Sequence, residues 1–244
     1  MTNLATDPID RRRLVPLVVK VGGSLLAGER LAGVVATLAR ARRPLVVVPG
    51  GGAFADQVRQ IQARHEISDR AAHQMALLAM HQMGLLLQDM QPRLAAVDTL
   101  AAIRQAQAAN LVPVWLPLRL AASDETIPAD WSVTSDALAA RLAERLRYEA
   151  VLLIKSRSVP HGPSAEELAG YGIVDPVFGE VVERASLAFR IIGPGDERTL
   201  AEICLSAPAM RNTFVKDRRQ PGRPERTRRV VRRAAGGLNT NVRQ

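Results

Sequence analysis

Aromatic side chains are scarce, with four Phe, two Trp and two Tyr in 244 residues. The core must then be built from Ala, Val, Leu and Ile, and few rings are left to stack on bases. A single cysteine, Cys204, excludes an intramolecular disulfide framework and fits a reducing, cytoplasmic compartment. It falls with Leu200, Ile203 and Leu205 in a helical apolar pattern and is read as a core residue. Long apolar runs are also missing. The stretch after Arg11-Arg12-Arg13 covers only residues 14–19 before Lys20 ends it, too short for a secretory signal, and nothing approaches the roughly 18 residues of a membrane span. Metal-ligand spacing is lacking too. His73 and His81 stand eight apart, whereas a helical metal pair needs about one turn, so no metal-ligating residues are expected.

Acidic residues are nearly absent from one part of the chain. Residues 212–244 hold ten Lys or Arg against Asp217 and Glu225, a surplus of eight, which leaves about +1 of the net +9 for everything before them. This stretch contains Pro and Gly but no apolar periodicity, and is read as a disordered basic tail. Non-specific contact with nucleic acid through the tail is its only expected nucleic-acid role, since stacking residues are missing. Residues 1–13 read as a loose leader, and residues 14–211 as one domain long enough to bury a full core.

What is present is a strand-like run, Leu17-Val18-Val19-Lys20-Val21, that breaks into Gly22-Gly23-Ser24. Adjacent glycines let the main chain approach an anion, and Lys20 adds a cation that is read as mobile and solvent-facing. A second apolar run at 45–48 ends in Pro49-Gly50-Gly51-Gly52, so two strands of one sheet each end in a glycine turn. Sites in parallel α/β sheets gather at such carboxyl ends. Further strands are expected at 111–116, 151–154 and 189–192, the fourth followed directly by Lys155. Helices are expected at 29–42, from about 53, from Ser68 or Asp69 to 90, at 99–109, after Thr134 or Ser135, from Asp175-Pro176 and at 196–205. Residues 123–131, with Pro128, read as a functional loop or lid. Strand and helix alternate throughout, which implies a mainly parallel sheet covered on both faces.

The set Lys20-Val21-Gly22-Gly23-Ser24, Pro49-Gly50-Gly51-Gly52, Thr134-Ser135-Asp136 and the strand ending in Lys155 resembles the amino acid kinase family. The resemblance runs over residues 14–205. It implies a three-layer α/β/α sandwich, a homo-oligomeric kinase using ATP and Mg²⁺, and a small-molecule acceptor. By that resemblance Lys20, Asp136 and Lys155 are catalytic, with Asp136 positioning the lysine. Gly22, Gly23, Ser24, Lys155, Arg157 and Asp175 are assigned to the nucleotide, and Gly50, Gly51, Gly52, Asp56, Arg59 and His73 to the acceptor. The family's Lys-Val-Asp-Gly motif is here Lys155-Ser156-Arg157-Ser158-Val159, without its Asp and Gly. That departure also admits a non-catalytic nucleotide- or oxyanion-sensing relative. Residues 50–59 with Asp69, His73 and Met80 resemble the branch that phosphorylates aminomethylfuranmethyl phosphate in methanofuran biosynthesis, ahead of UMP or isopentenyl phosphate as acceptor.

Overall fold

The computed structural model describes residues 15–159, 162–205 and 215–216. The expected leader at 1–13, and the tail from 217 onward, lie outside the described residues. β1 (Leu17–Val21), β2 (Leu45–Pro49), β3 (Leu94–Val97), β4 (Val112–Trp115), β5 (Ala150–Ile154) and β6 (Ala188–Ile192) form a parallel sheet. A two-residue antiparallel strand, β7 (Val215–Lys216), closes one edge, giving the order β3-β4-β2-β1-β5-β6-β7. The sequence reading had placed Val215 and Lys216 in the tail, because two residues carry no periodic signal of their own.

The alternation of side chains along each strand sorts the core into two layers. Leu17, Val19, Val21, Leu45 and Val47 face α1 (Arg30–Ala39) and α9 (Glu197–Leu205), where Cys204 is buried as expected. Val18, Val46, Val48, Val151 and Leu153 face the opposite layer, dominated by α6 (Ser135–Leu146) and α8 (Pro176–Arg184). Lys20 shares the period of Val18 and so points toward α6. It is a buried strand residue rather than the solvent-facing loop cation that the sequence implied.

Two helices flank the second glycine turn. α2 (Gly52–His65) starts inside it, and α3 (Asp69–Met90), capped by Ser68, packs against α2 and reaches both layers through Leu77, Met80 and Leu87. The strand β3 was not foreseen. Its sequence, Leu94-Ala95-Ala96-Val97, has two alanines and only its first residue is buried, so its pairing with β4 decides it more than propensity does. α4 (Leu100–Ala108), capped by Thr99, and the short α5 (Leu118–Ala121) lead into residues 122–134, which carry no regular secondary structure. That loop is nonetheless tied down. Asp124 accepts from Thr126 and from Arg141 of α6, and Ile127 and Val133 are buried. α7 (Ala165–Gly170) begins with a capping box from Ser164 and Glu167.

Candidate active site

β1 is flanked by β2, which leads to one half of the sheet, and by β5, which leads to the other. The strand order thus reverses between β1 and β5, and a crevice is expected beyond their carboxyl ends. Lys20 stands beside Leu153 in that register, and Lys155 follows β5 directly. The Asp136 carboxylate, in the first turn of α6, lies between the two ammonium groups. Its Oδ2 accepts from Lys155 Nζ at 2.5 Å, and its Oδ1 is 2.9 Å from Lys20 Nζ. The second contact is an ion pair between two buried groups, and Lys20 is the group that Oδ1 meets.

Burial, and then repulsion from Lys20, push the Lys155 ammonium down to about 8 despite Asp136. For Asp136 burial acts upward, but the two lysines outweigh it and hold the carboxylate below its ordinary range. Asp136 touches both cations and Asp175 acts on Lys155 from further off, so two buried ammonium groups are gathered at the end of the sheet, where an anion can meet them.

The glycine turns after β1 and β2 interlock. A Cβ at Gly23 would lie 2.1 Å from the Gly52 nitrogen, and one at Gly50 would lie 2.4 Å from the Gly23 nitrogen. Gly52 also needs a left-handed backbone, φ +55°. The amides divide into two kinds. Gly22 N donates to Ile154 O and Gly50 N to Val21 O, each at 2.8 Å, so both extend the sheet ladder and are not free to hold a phosphate. The amides at the starts of the 3₁₀ turn Gly23–Ala27 and of α2 have no intrahelical acceptor and are available instead. Ser24 Oγ meets Ser156 Oγ at 2.7 Å, joining the first glycine turn to the altered loop after Lys155.

Above these turns lies a cavity of about 250 Å³. It gathers Lys20, Gly23, Ser24, Asp136 and Lys155 with Gly50, Gly51, Gly52, Asp56, Arg59 and His73. His73 is buried on α3, and desolvation lowers its pKa against the nearby Asp130, so it enters the wall as a neutral ring.

Two expected nucleotide contacts lie elsewhere. Asp175 caps α8 through Phe178 N, and its Oδ2 accepts from Thr134 N, Thr134 Oγ1 and Ala137 N at the start of α6. All of these bonds join two helix N-termini, and burial with the neighbouring Asp136 charge pushes the carboxyl up to about 6. The Pro at position 176 marked the cap, but only the fold brings Thr134 within reach. Arg157 donates to Gly172 O at 2.7 Å and is exposed, outside the cavity. Conversely, Trp131 lines the cavity and was read only as the end of a loop. Nothing in its sequence neighbourhood marks it, because its partners Arg59 and Gln62 are about 70 residues earlier.

Comparison with known proteins accords with this geometry. Residues 16–158 match the amino acid kinase family. The chain belongs to that family. It is 25% identical over 196 residues to the [5-(aminomethyl)furan-3-yl]methyl phosphate kinase of Methanocaldococcus jannaschii, covering 75% of this chain and 90% of that protein. Its fold is similar to the uridylate kinase of Archaeoglobus fulgidus, with a TM-score of 0.55 at 15% identity over 78% of this chain and 95% of that one. The UMP kinase of Bacillus anthracis gives 0.56 at 13% identity over 78% and 91%. The protein is a phosphotransferase with the α/β sandwich of these kinases, and no described helix is long and apolar enough to cross a membrane.

Proposed function

We propose that this kinase transfers a phosphoryl group from ATP to a small phosphate monoester, and that the acceptor is [5-(aminomethyl)furan-3-yl]methyl phosphate. The carrying observation is the pairing of Asp56 and Arg59, 3.0 Å apart on α2, in the same cavity as Lys20, Asp136 and Lys155. A guanidinium fork suits a phosphate and a carboxylate suits an ammonium, so one helix face carries a receptor for each end of such a molecule. The kinase acting on that compound in Methanocaldococcus jannaschii, at 25% identity, supports the same reading.

The residues fit the nucleotide as well. The buried ammonium groups of Lys20 and Lys155 and the available amides beside Gly23 and Gly52 suit a polyphosphate. Among the described residues no cluster of three carboxylate, histidine or cysteine groups is placed to cage a cation. Mg²⁺ would be carried by the nucleotide phosphates and would neutralise charge on the transferred group. In the reaction an acceptor phosphate oxygen attacks the γ-phosphorus, the bond from that phosphorus to the β,γ-bridging oxygen breaks, and its electron pair leaves with ADP. The acceptor oxygen is already ionised near pH 7, so no general base is needed. Lys20, held by Asp136, neutralises the group in flight, and Lys155 holds the phosphates of the donor. Retention of all three residues argues against a purely sensing relative.

The test is ADP release over a panel of phosphate monoesters. Turnover should be highest with the aminomethylfuran compound, and Lys20→Met should abolish it. Arg59→Lys should raise the acceptor KM and leave the ATP KM within about twofold, because Lys cannot reproduce a bidentate grip. Asp56→Asn should penalise the amine-bearing acceptor more than its des-amino analogue. Preference for UMP, or equal effects of both substitutions on every acceptor, would sink the proposal.

A further inference from the structure

Arg59 is exposed on α2, and its Nη1 donates to Asp56 Oδ1. A long exposed side chain with one such bond ordinarily samples many rotamers, and ordering it costs entropy that a ligand must overcome. Here its Cζ lies 4.2 Å from the centroid of the Trp131 ring, within range of a cation–π contact. The indole is itself held, since Trp131 Nε1 donates to Gln62 Oε1. Gln62 in turn donates from Nε2 to Asp69 Oδ1 at 2.8 Å, which fixes the orientation of its amide. A continuous relay therefore runs from the first turn of α3 through Asp69, Gln62 and Trp131 to Arg59, and its last two members line the cavity. The ring holds the guanidinium through its Cζ, and the guanidinium keeps N–H groups besides the one on Asp56 for an oxyanion.

We infer that Trp131, oriented by Gln62, is the positioning residue that presents the remaining N–H groups of Arg59 to the phosphate of the acceptor, and so sets selectivity for small phosphate monoesters. The inference rests on the acceptor reading above and adds two residues to it. The loop at 122–134 serves as a fixed support for that ring, because Asp124 ties it to α6 through Arg141 and Ile127 and Val133 are buried.

The test compares Trp131→Phe, Trp131→Leu and Gln62→Leu with the unsubstituted enzyme, using [5-(aminomethyl)furan-3-yl]methyl phosphate and phosphoethanolamine as acceptors. Trp131→Leu should raise the acceptor KM about fivefold or more, with the ATP KM within about twofold. Trp131→Phe should recover most of that loss because a π-face remains, and Gln62→Leu should fall between them. In an Arg59→Lys background the further change Trp131→Leu should add little, since the ring then has no guanidinium fork to hold. An unchanged acceptor KM, equal shifts in both constants, Phe as poor as Leu, or full additivity with Arg59→Lys would each overturn the assignment. If Trp131→Leu does not fold, the Phe and Gln62 variants decide the matter by the same criteria. No turnover of either acceptor by the unsubstituted enzyme would instead remove the acceptor reading, and this inference with it.

Discussion

At the scale of single residues, Asp136 lies between the ammonium groups of Lys20 and Lys155, and Lys155 is destabilised as a cation by burial first and by Lys20 second. Its pKa of about 8, against an ordinary 10.5, gives the site a titration within a measurable range. Between those values the unfolded chain binds more protons than the folded one, so Lys155 makes the fold more stable as pH rises from 8 to 10.5. Its effect on a phosphate ligand has the opposite sign, because the cation that attracts the anion is lost as pH rises through 8. Binding of ADP, followed by calorimetry, should therefore weaken above pH 8, approaching about tenfold per pH unit, with proton uptake on binding. Lys155→Arg keeps its charge over this range and should flatten the profile. The same alkaline limb in Lys155→Arg would assign the titration to another group.

At the scale of elements, the two glycine turns form one interlocked unit, and their glycines are required by backbone contact. Gly23→Ala would drive a methyl into the Gly52 backbone, which cannot move without shifting the start of α2, so a loss of at least about 3 kcal/mol or failure to fold is expected. Gly33 in α1 is the matched control. Nothing lies within 4 Å of a Cβ there, and Gly33→Ala should stabilise the helix by about 0.5–1 kcal/mol. Chemical denaturation of the two variants checks both signs. Equal, small effects would mean that the turns do not interlock in solution. The loop after Lys155 belongs to the same scale. Arg30 donates to Lys155 O at 2.9 Å and to Gly193 O at 2.7 Å, so the ends of β5 and β6 are clamped although the family's Asp and Gly are missing there.

At the scale of the whole molecule, nearly all of the net charge sits in a segment whose composition cannot bury apolar surface. Deleting residues 217–244 should leave kcat and both KM values unchanged while lowering retention on a polyanion resin. Deleting from 212 is a different experiment, because it also removes β7 and leaves the β6 edge unpaired. That variant should be less stable or more prone to associate, read by thermal unfolding and size-exclusion chromatography. A large loss of turnover in the shorter deletion would mean that the basic segment contributes to the site.

By itself the sequence determined the layers and the chemical kind of the site. Continuous apolar runs at β1, β2 and β5 and period-3.6 runs at α1 and α6 are local patterns, and glycine pairs after strands mark where the main chain must come close to something. Such signals need no partner to be legible. It left open which face a lone polar residue takes within an apolar strand, so Lys20 read as solvent-facing until α6 was laid over β1. It also assigned amides and carboxylates by motif alone. Gly22 and Gly50 turned out to use their amides in the ladder, and Asp175 its carboxylate on two helix starts, because hydrogen-bond partners far apart in the chain are chosen only when the fold closes. Trp131 is the same case in reverse: an unremarkable residue in a loop acquires a role at the cavity because α2 and the loop before α6 meet there, and only the tertiary structure sets that meeting.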